Sequence, residues 1–225
     1  CATQAMERIN NISLKGLLPR VFAQNQDAGR NRASDVWLGN VTFERGQRYM
    51  ITAESGSGKS SLCSYLYGHR NDYEGVVLFD DSDISAFDSN HWSKLRREHI
   101  SLLPQEMRLF PELTVMENIE LKNSLTNYKS TQEIETMLAR LEIEDKKSEL
   151  VGLLSIGQQQ RVAIVRALCQ PMDYLLLDEP VSHLDERANR LVASLVEEEI
   201  TKQQSALIVT SVGNPLLIKA QAIKL

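Results

Sequence analysis

Residues 53–60 read Ala-Glu-Ser-Gly-Ser-Gly-Lys-Ser, and residues 173–180 read Asp-Tyr-Leu-Leu-Leu-Asp-Glu-Pro. The first run is a string of small residues that ends in a cation and a hydroxyl. Small residues let a backbone wrap closely, so that successive N–H groups and the start of a helix face a phosphate. Lys59 is then placed to reach the outer phosphates as a point charge, and the Ser60 hydroxyl to ligate Mg2+. The phosphate-loop pattern is Gly, four free positions, then Gly, Lys and Ser or Thr. Gly58, Lys59 and Ser60 satisfy its end, and Ala53 stands where its first Gly normally is. If that position required φ > 0, the Ala would cost about 1 kcal/mol. A Ser/Gly-rich hairpin turn is the plainer alternative. The second run delivers two carboxylates, Asp178 and Glu179, directly after Tyr174, Leu175, Leu176 and Leu177. Uncompensated carboxylates at the end of a buried strand are costly, and a metal ion with its water is the natural compensation. An exposed acidic turn is the alternative there.

Both runs need strands to carry them. Residues 48–52 predict a short buried strand entering the phosphate loop, and residues 59–67 leave it with helical spacing at Leu62 and Leu66. Further strands are predicted over 75–79, 99–103, 173–178 and 205–210. Residues 9–14 alternate apolar and polar, as do 41–43, and the polar, turn-rich run 24–35 between them reads as an exposed hairpin loop. Residues 113–121 and 131–141 carry two helix patterns with no strand between them, which predicts a helical insertion. Asp185 is placed to cap an amphipathic helix over 185–198. Alternating strand and helix signals make the fold class α/β.

The 225 residues, 42% of them hydrophobic, suffice for one domain or a domain with a subdomain. With 25 Lys+Arg against 30 Asp+Glu, the net charge of −5 argues against a surface built mainly for nucleic acid or anionic lipid. Apolar runs such as 174–177 and 206–209 fall far short of the roughly 18 residues that span a bilayer, so a soluble chain is expected. Cys1, Cys63 and Cys169 have no metal spacing, and the latter two fall on helix patterns. Buried free thiols in a reducing cytosol are the expectation. Residues 1–20 lack the apolar stretch of a signal peptide, and the natural start is expected upstream of Cys1 or at Met6.

Residues 154–161, Leu-Ser-Ile-Gly-Gln-Gln-Gln-Arg, resemble the signature of the ATP-binding cassettes, and the acidic strand follows at that family's spacing. Residues 181–185 (Val-Ser-His-Leu-Asp) resemble its D-loop, and Gln105 its Q-loop glutamine. Residues 109–119 are similar to the cassettes of lipoprotein-release and macrolide-export transporters and to the cell-division cassette. The resemblance runs from about residue 9 to the C-terminus. It implies a P-loop NTPase of the ABC ATPase type, with an antiparallel β subdomain and an α-helical subdomain inserted at roughly residues 106–160. One nucleotide-binding domain would then span residues 1–225. The resemblance also implies a head-to-tail dimer that traps ATP between one subunit's P-loop and the other's signature. Ser55, Gly56, Ser57, Gly58, Lys59, Ser60 and Ser61 would cradle the phosphates in cis, with Ser60, Gln105 and Asp178 serving Mg2+ and its water shell. Glu179 would be the general base, and Gln105 would also sense the γ-phosphate. Ser155 and Gly157, with Gln158, would meet the γ-phosphate in trans, where a helix start favours an anion. Asp185 would couple the two sites. Phe22 is the candidate for stacking on adenine, and a core phenylalanine is its alternative.

Two positions depart from the family. Ile156 stands where the signature usually has Gly; a β-branched residue resists φ > 0 and adds bulk near the trans nucleotide. Ser211 falls where the family has a histidine that contacts the γ-phosphate and the attacking water. The last histidine in the chain is His183, in the D-loop; His69, His91 and His99 read as ordinary surface or core residues. Losing one charge-assisted contact predicts hydrolysis about 10 to 100-fold slower than in typical cassettes. The leading function is an ATPase subunit on the cytoplasmic face of a membrane, peripheral to it through a membrane-embedded permease partner, in a homo- or heterodimer of cassettes. The partner surface is expected beside Gln105, over 106–115, where Met107, Leu109, Phe110 and Leu113 would line a groove; packing of the same residues into the core of the helical subdomain is the alternative. A regulatory module that binds ATP with little turnover is a second reading. A soluble cassette of DNA repair or translation is a third. Net charge and the lack of coiled-coil insertions or Cys-x-x-Cys pairs stand against it, so no nucleic-acid partner is expected.

Overall fold

The computed structural model describes residues 8–24, 34–52 and 56–225. An antiparallel sheet is built from β1 (Asn11–Pro19), β2 (Asn40–Glu44), β4 (Tyr73–Phe79) and β5 (Ser82–Asp83), in the order β2-β1-β4-β5. A parallel sheet has the order β6-β7-β8-β3-β9, from β3 (Arg48–Thr52), β6 (Ile100–Leu103), β7 (Tyr174–Asp178), β8 (Ala206–Ser211) and β9 (Gln221–Lys224). The helices are α1 (Arg20–Gln24), α2 (Lys59–Leu66), α3 (Ser89–Glu98), α4 (Val115–Asn123), α5 (Thr131–Arg140), α6 (Ile156–Leu168) and α7 (Glu186–Gln203).

The unbroken apolar run of β7 follows from burial on both faces. Tyr174 and Leu176 point into one core with Phe43, Ile51, Leu62 and Leu66, under the antiparallel sheet. Leu175 and Leu177 point into a second core with Ile119, Leu138, Ile164 and Val196, under α4, α5, α6 and α7. These four side chains are fully buried, and each contributes about 2 kcal/mol. Register brings the strand ends level. Asp178 pairs with Thr210 across β7 and β8, and Thr52 pairs with Ser211 across β3 and β8. Phosphate loop, acidic pair and Ser211 therefore meet at one carboxyl edge, where open α/β sheets place ligands.

The expected strands are present; most ends shift by a residue or two, but the first strand, expected over 9–14, runs on five residues further to Pro19, and β1 pairs antiparallel with β2 as the hairpin reading required. Most of the turn-rich loop between them, residues 25–33, lies outside the described residues, as do Cys1 and Met6. The first inserted helix starts at Val115 rather than 113, because Thr114 caps it in a reciprocal capping box with Glu117. Ser130 and Glu133 do the same for α5. Asp185 caps α7 as expected, accepting from Ala188 N at 2.7 Å. Helix α7 runs on to Gln203, where Gln204 takes the left-handed conformation that stops it. Cys63 and Cys169 are free and buried.

An ion pair ties the inserted helices to α7. Lys129 Nζ donates to both carboxylate oxygens of Glu199, at 2.9 and 2.8 Å, with side chains only 2% and 6% exposed. Removing one partner leaves the other charge buried and unmatched. Lys129→Met should cost roughly 3–5 kcal/mol in urea unfolding, and adding Glu199→Leu should recover most of that loss.

Candidate functional site

The phosphate loop is shaped by two aromatic side chains. Gly58 has φ 95° and caps α2 without a side-chain bond, so the first N–H groups of the helix point outward uncovered by a side chain. A Cβ at Gly58 would stand 3.0 Å from Trp37 Cζ2 and 3.1 Å from Phe22 Cε2, so only glycine fits there. Trp37 Nε1 donates to Ser57 O at 3.0 Å, and the Phe22 and Trp37 rings meet edge to face. Phe22, the adenine candidate, is thus brought to the loop. Trp37 was not signalled, because nothing local marks a tryptophan that docks on a loop distant in sequence. Among the described residues, Ser57 Oγ is buried with no hydrogen-bond partner, a polar atom left for a ligand. Lys59 is buried too; burial lowers its pKa, while first Glu179 and then Asp178 work to raise it. Ser60 and Gly56 are exposed beside it. Ser61 accepts a hydrogen bond from Arg70 Nη1 at 3.0 Å, and Ser55 and Ala53 lie outside the described residues.

The acidic pair is held by main chain and by a neighbour in β8. Thr210 Oγ1 donates to Asp178 Oδ1 at 2.6 Å and accepts from Glu179 N at 3.2 Å. Glu179 itself sits at φ 51°, in the left-handed region. Gln105 Nε2 donates to Glu179 Oε2 at 3.4 Å, so the second residue after β6 is brought to the acid. Ser211 is buried one residue beyond Thr210. Beneath them, burial and then the Asp178 charge push the Cys63 thiol well above its ordinary range. Among the described residues no three His, Cys, Asp or Glu side chains cluster to hold a metal. Ser60, Gln105 and Asp178 instead suit Mg2+, which keeps waters and takes phosphate oxygens alongside few protein ligands.

The signature residues lie at the start of α6. Ser155 Oγ accepts from Gln158 N at 3.3 Å, and Gln158 Oε1 accepts from Ser155 N at 2.9 Å. These bonds close a capping box, and among the described residues none from Ser155 or Gln158 reaches the phosphate loop. A Cβ at Gly157 would stand 3.0 Å from His183 O, so glycine there allows the loop before α7 to pack closely. Ile156 corrects one expectation. It is the first helical residue of α6 and has no positive φ, so its branched side chain carries no backbone strain; it adds only bulk, 47% exposed.

The expected partner groove is also revised. Met107 is buried in the core and Leu109 packs on that core, while Phe110 is exposed. Beside them a cleft of about 260 Å³ is lined by Pro104, His69, Arg108, Lys122 and Arg166, and by no acidic side chain. Arg166 donates to the carbonyls of Met107 and Arg108. Burial and then the Arg166 charge push Lys122 down to about 8. Of the other histidines, His91 stacks on Phe87 and His99 Nδ1 lies 2.7 Å from Asp173 Oδ2 in the interior.

Residues 39–182 match the family described as ABC transporter. The chain is 32% identical over 162 residues to the ABC transporter ATP-binding protein YtrE of Bacillus subtilis (strain 168), covering 71% of this chain and 70% of that one. It is 34% identical over 176 residues to the lipoprotein-releasing system ATP-binding protein LolD 1 of Chlorobium chlorochromatii (strain CaD3), covering 76% and 72%. Among solved structures it is similar to dimeric MJ0796, a bacterial ABC transporter cassette, at TM-score 0.76 and 26% identity over 95% and 94% of the two chains. A dimeric post-hydrolysis state of MJ0796 bound to ADP and Pi matches at TM-score 0.73 and 25% identity over 89% and 87%.

The cleft makes a pH prediction. Between about pH 8 and the ordinary lysine range, an unfolded chain holds a proton on Lys122 that the folded chain lacks. That group's share of stability therefore rises with pH across this window. Lys122→Met should be more stable than wild type at pH 7, with the advantage shrinking toward pH 10.5; thermal melts of both proteins across pH check it.

Proposed function

Since the chain belongs to the ABC transporter family, we propose that it is the ATP-binding and ATP-hydrolysing subunit of a transporter or mechanotransmission complex. It folds as one nucleotide-binding domain, and it works as a head-to-tail dimer that closes on ATP and moves a membrane partner when it reopens. One observation carries this reading: a buried ammonium, Lys59, shares a sheet edge with Asp178 and Glu179, at the mouth of a helix start left uncapped by any side chain. The dimeric relative bound to ADP and Pi supports it.

In this reading the phosphates of ATP lie on the first N–H groups of α2, with Lys59 neutralising the outer ones and Ser57 Oγ gaining its missing partner. Ser60, Gln105 and Asp178 would hold Mg2+ and its waters. When bound, the ion neutralises charge on the transferred phosphate. Glu179 takes the proton of the attacking water. Thr210, by donating to Asp178 and accepting from Glu179 N, keeps both carboxylates aimed. Ser155, Gly157 and Gln158 complete the second copy's site, Asp185 couples the two, and Phe22 stacks on adenine beside Trp37. Ser211 offers a hydroxyl but no charge, so hydrolysis is slow, and Ile156 adds bulk at the closing face. The membrane partner docks beside Gln105, against the basic cleft and Phe110.

Steady-state phosphate release and gel filtration with Mg-ATP test this. Wild type should hydrolyse ATP, and Glu179→Gln should not; the variant should elute as a dimer only when Mg-ATP is present. Unchanged release from Glu179→Gln, or a monomer under every condition, overturns the reading. Ser211→His should raise turnover by about 10-fold or more. A rate at the ordinary cassette level, undiminished by Ser211→Ala, would show that this position is not compromised.

A further inference from the structure

The backbone of Glu179 is held in a conformation that glutamate does not favour. Left-handed φ at a non-glycine residue costs about 1–2 kcal/mol and persists only where surrounding groups enforce it. One such group comes from the sheet: Thr210 Oγ1 accepts from Glu179 N. The other comes from α6. Gln160, only 2% exposed, donates through Nε2 to Glu179 O at 3.1 Å and to Ser182 Oγ at 3.3 Å. Its Oε1 accepts from His183 N at 3.1 Å. A single buried amide thus spans both ends of the turn from Glu179 to His183.

We infer that Gln160 is a positioning residue that sets the peptide plane after Glu179, and with it the aim of the Glu179 carboxylate. The inference rests on the reading of Glu179 as general base. The Gln105 contact to that carboxylate is exposed and long, 3.4 Å, so it cannot fix the aim alone. Gln160 stands one turn after Ser155 and Ile156 on a continuous helix of 13 residues, and Gly157 of the same turn packs against His183 O. A shift of the start of α6 carries the Gln160 amide with it. The carboxylate therefore follows the position of the signature, and correct aim is reached only when α6 is seated.

Kinetics of three variants test this. Gln160→Leu removes every bond of the amide. Of its three bonds, the two to main chain, at Glu179 O and His183 N, at about 1 kcal/mol each predict a fall in kcat of roughly 10-fold or more, with KM for ATP changed less than about 2-fold. ATP-dependent dimerisation should be retained. Gln160→Glu keeps an acceptor for His183 N but donates to Glu179 O only when protonated, and burial raises a carboxyl pKa. Its kcat, low at pH 8, should recover relative to wild type as pH falls, which a merely structural role would not produce. If Gln160→Leu does not fold, Gln160→Glu decides. Undiminished kcat, or a loss shared equally by kcat and melting temperature without recovery in acid, overturns the inference. Glu179→Gln separates the two failures: normal turnover there sinks the general-base reading, whereas a blank there with undiminished Gln160 variants sinks the positioning role alone.

Discussion

Strand β7 must be apolar on both faces and yet end in two carboxylates, and the site follows from reconciling those demands. Its side chains alternate between the two cores, so no charge can lie along its length. Charge enters only where β7 runs out, and there the register of β3, β7 and β8 gathers Thr52, Asp178, Thr210 and Ser211. The short bond from Thr210 to Asp178 is the first compensation that the acid meets. Lys59, drawn in at the start of α2 and itself buried, is the second. Neither acid nor ammonium is tolerable there alone, so each element that brings one obliges the next.

What was legible in the chain was the chemistry that lies contiguous in sequence. The phosphate loop, the acidic pair and the signature are each one short run, and each falls on the strand end or helix start that its pattern implies. Buried Cys63 and Cys169 and the Asp185 cap were legible for the same local reason. Helix α3 was not, since only Leu95 among its residues is buried and its pattern is nearly all polar. Strand β9 buries Ile223 alone and is an edge added by pairing with β3. Trp37, Thr210 and Gln160 owe their roles to partners far away along the chain. The strain expected at Ile156 was an error of the same kind: it read a missing glycine as a turn, whereas Ser155 caps there and the next residue is already helical. Met107, offered to a partner by its sequence neighbourhood, is taken by the core instead.

The helical insertion is attached by unlike means at its two sides. Toward α7 the attachment includes a buried ion pair, Lys129 with Glu199, flanked by the exposed pairs Arg140 with Glu198 and Lys202 with Glu133. Toward the sheet it is the turn held by Gln160 and the carbonyls of Met107 and Arg108 held by Arg166, hydrogen bonds mostly to main chain. Such bonds can tilt without breaking. The cleft beside them gathers His69, Arg108, Lys122 and Arg166 with no carboxylate among its lining, so an anionic group arriving there would relieve a repulsion the chain already carries.

Trp37 joins the phosphate loop to optics. The chain has two tryptophans. One of them donates its indole N–H to Ser57 O and touches Gly58; the other, Trp92, lies on α3 among Phe79, Phe87 and Arg96. Indole emission shifts with the field and hydrogen bonding at its nitrogen, so the loop's electrostatic state is written into the emission of Trp37, with Trp92 as a reference. A polyanion arriving at that loop would alter the field at the indole and so its emission, without any label attached to the protein.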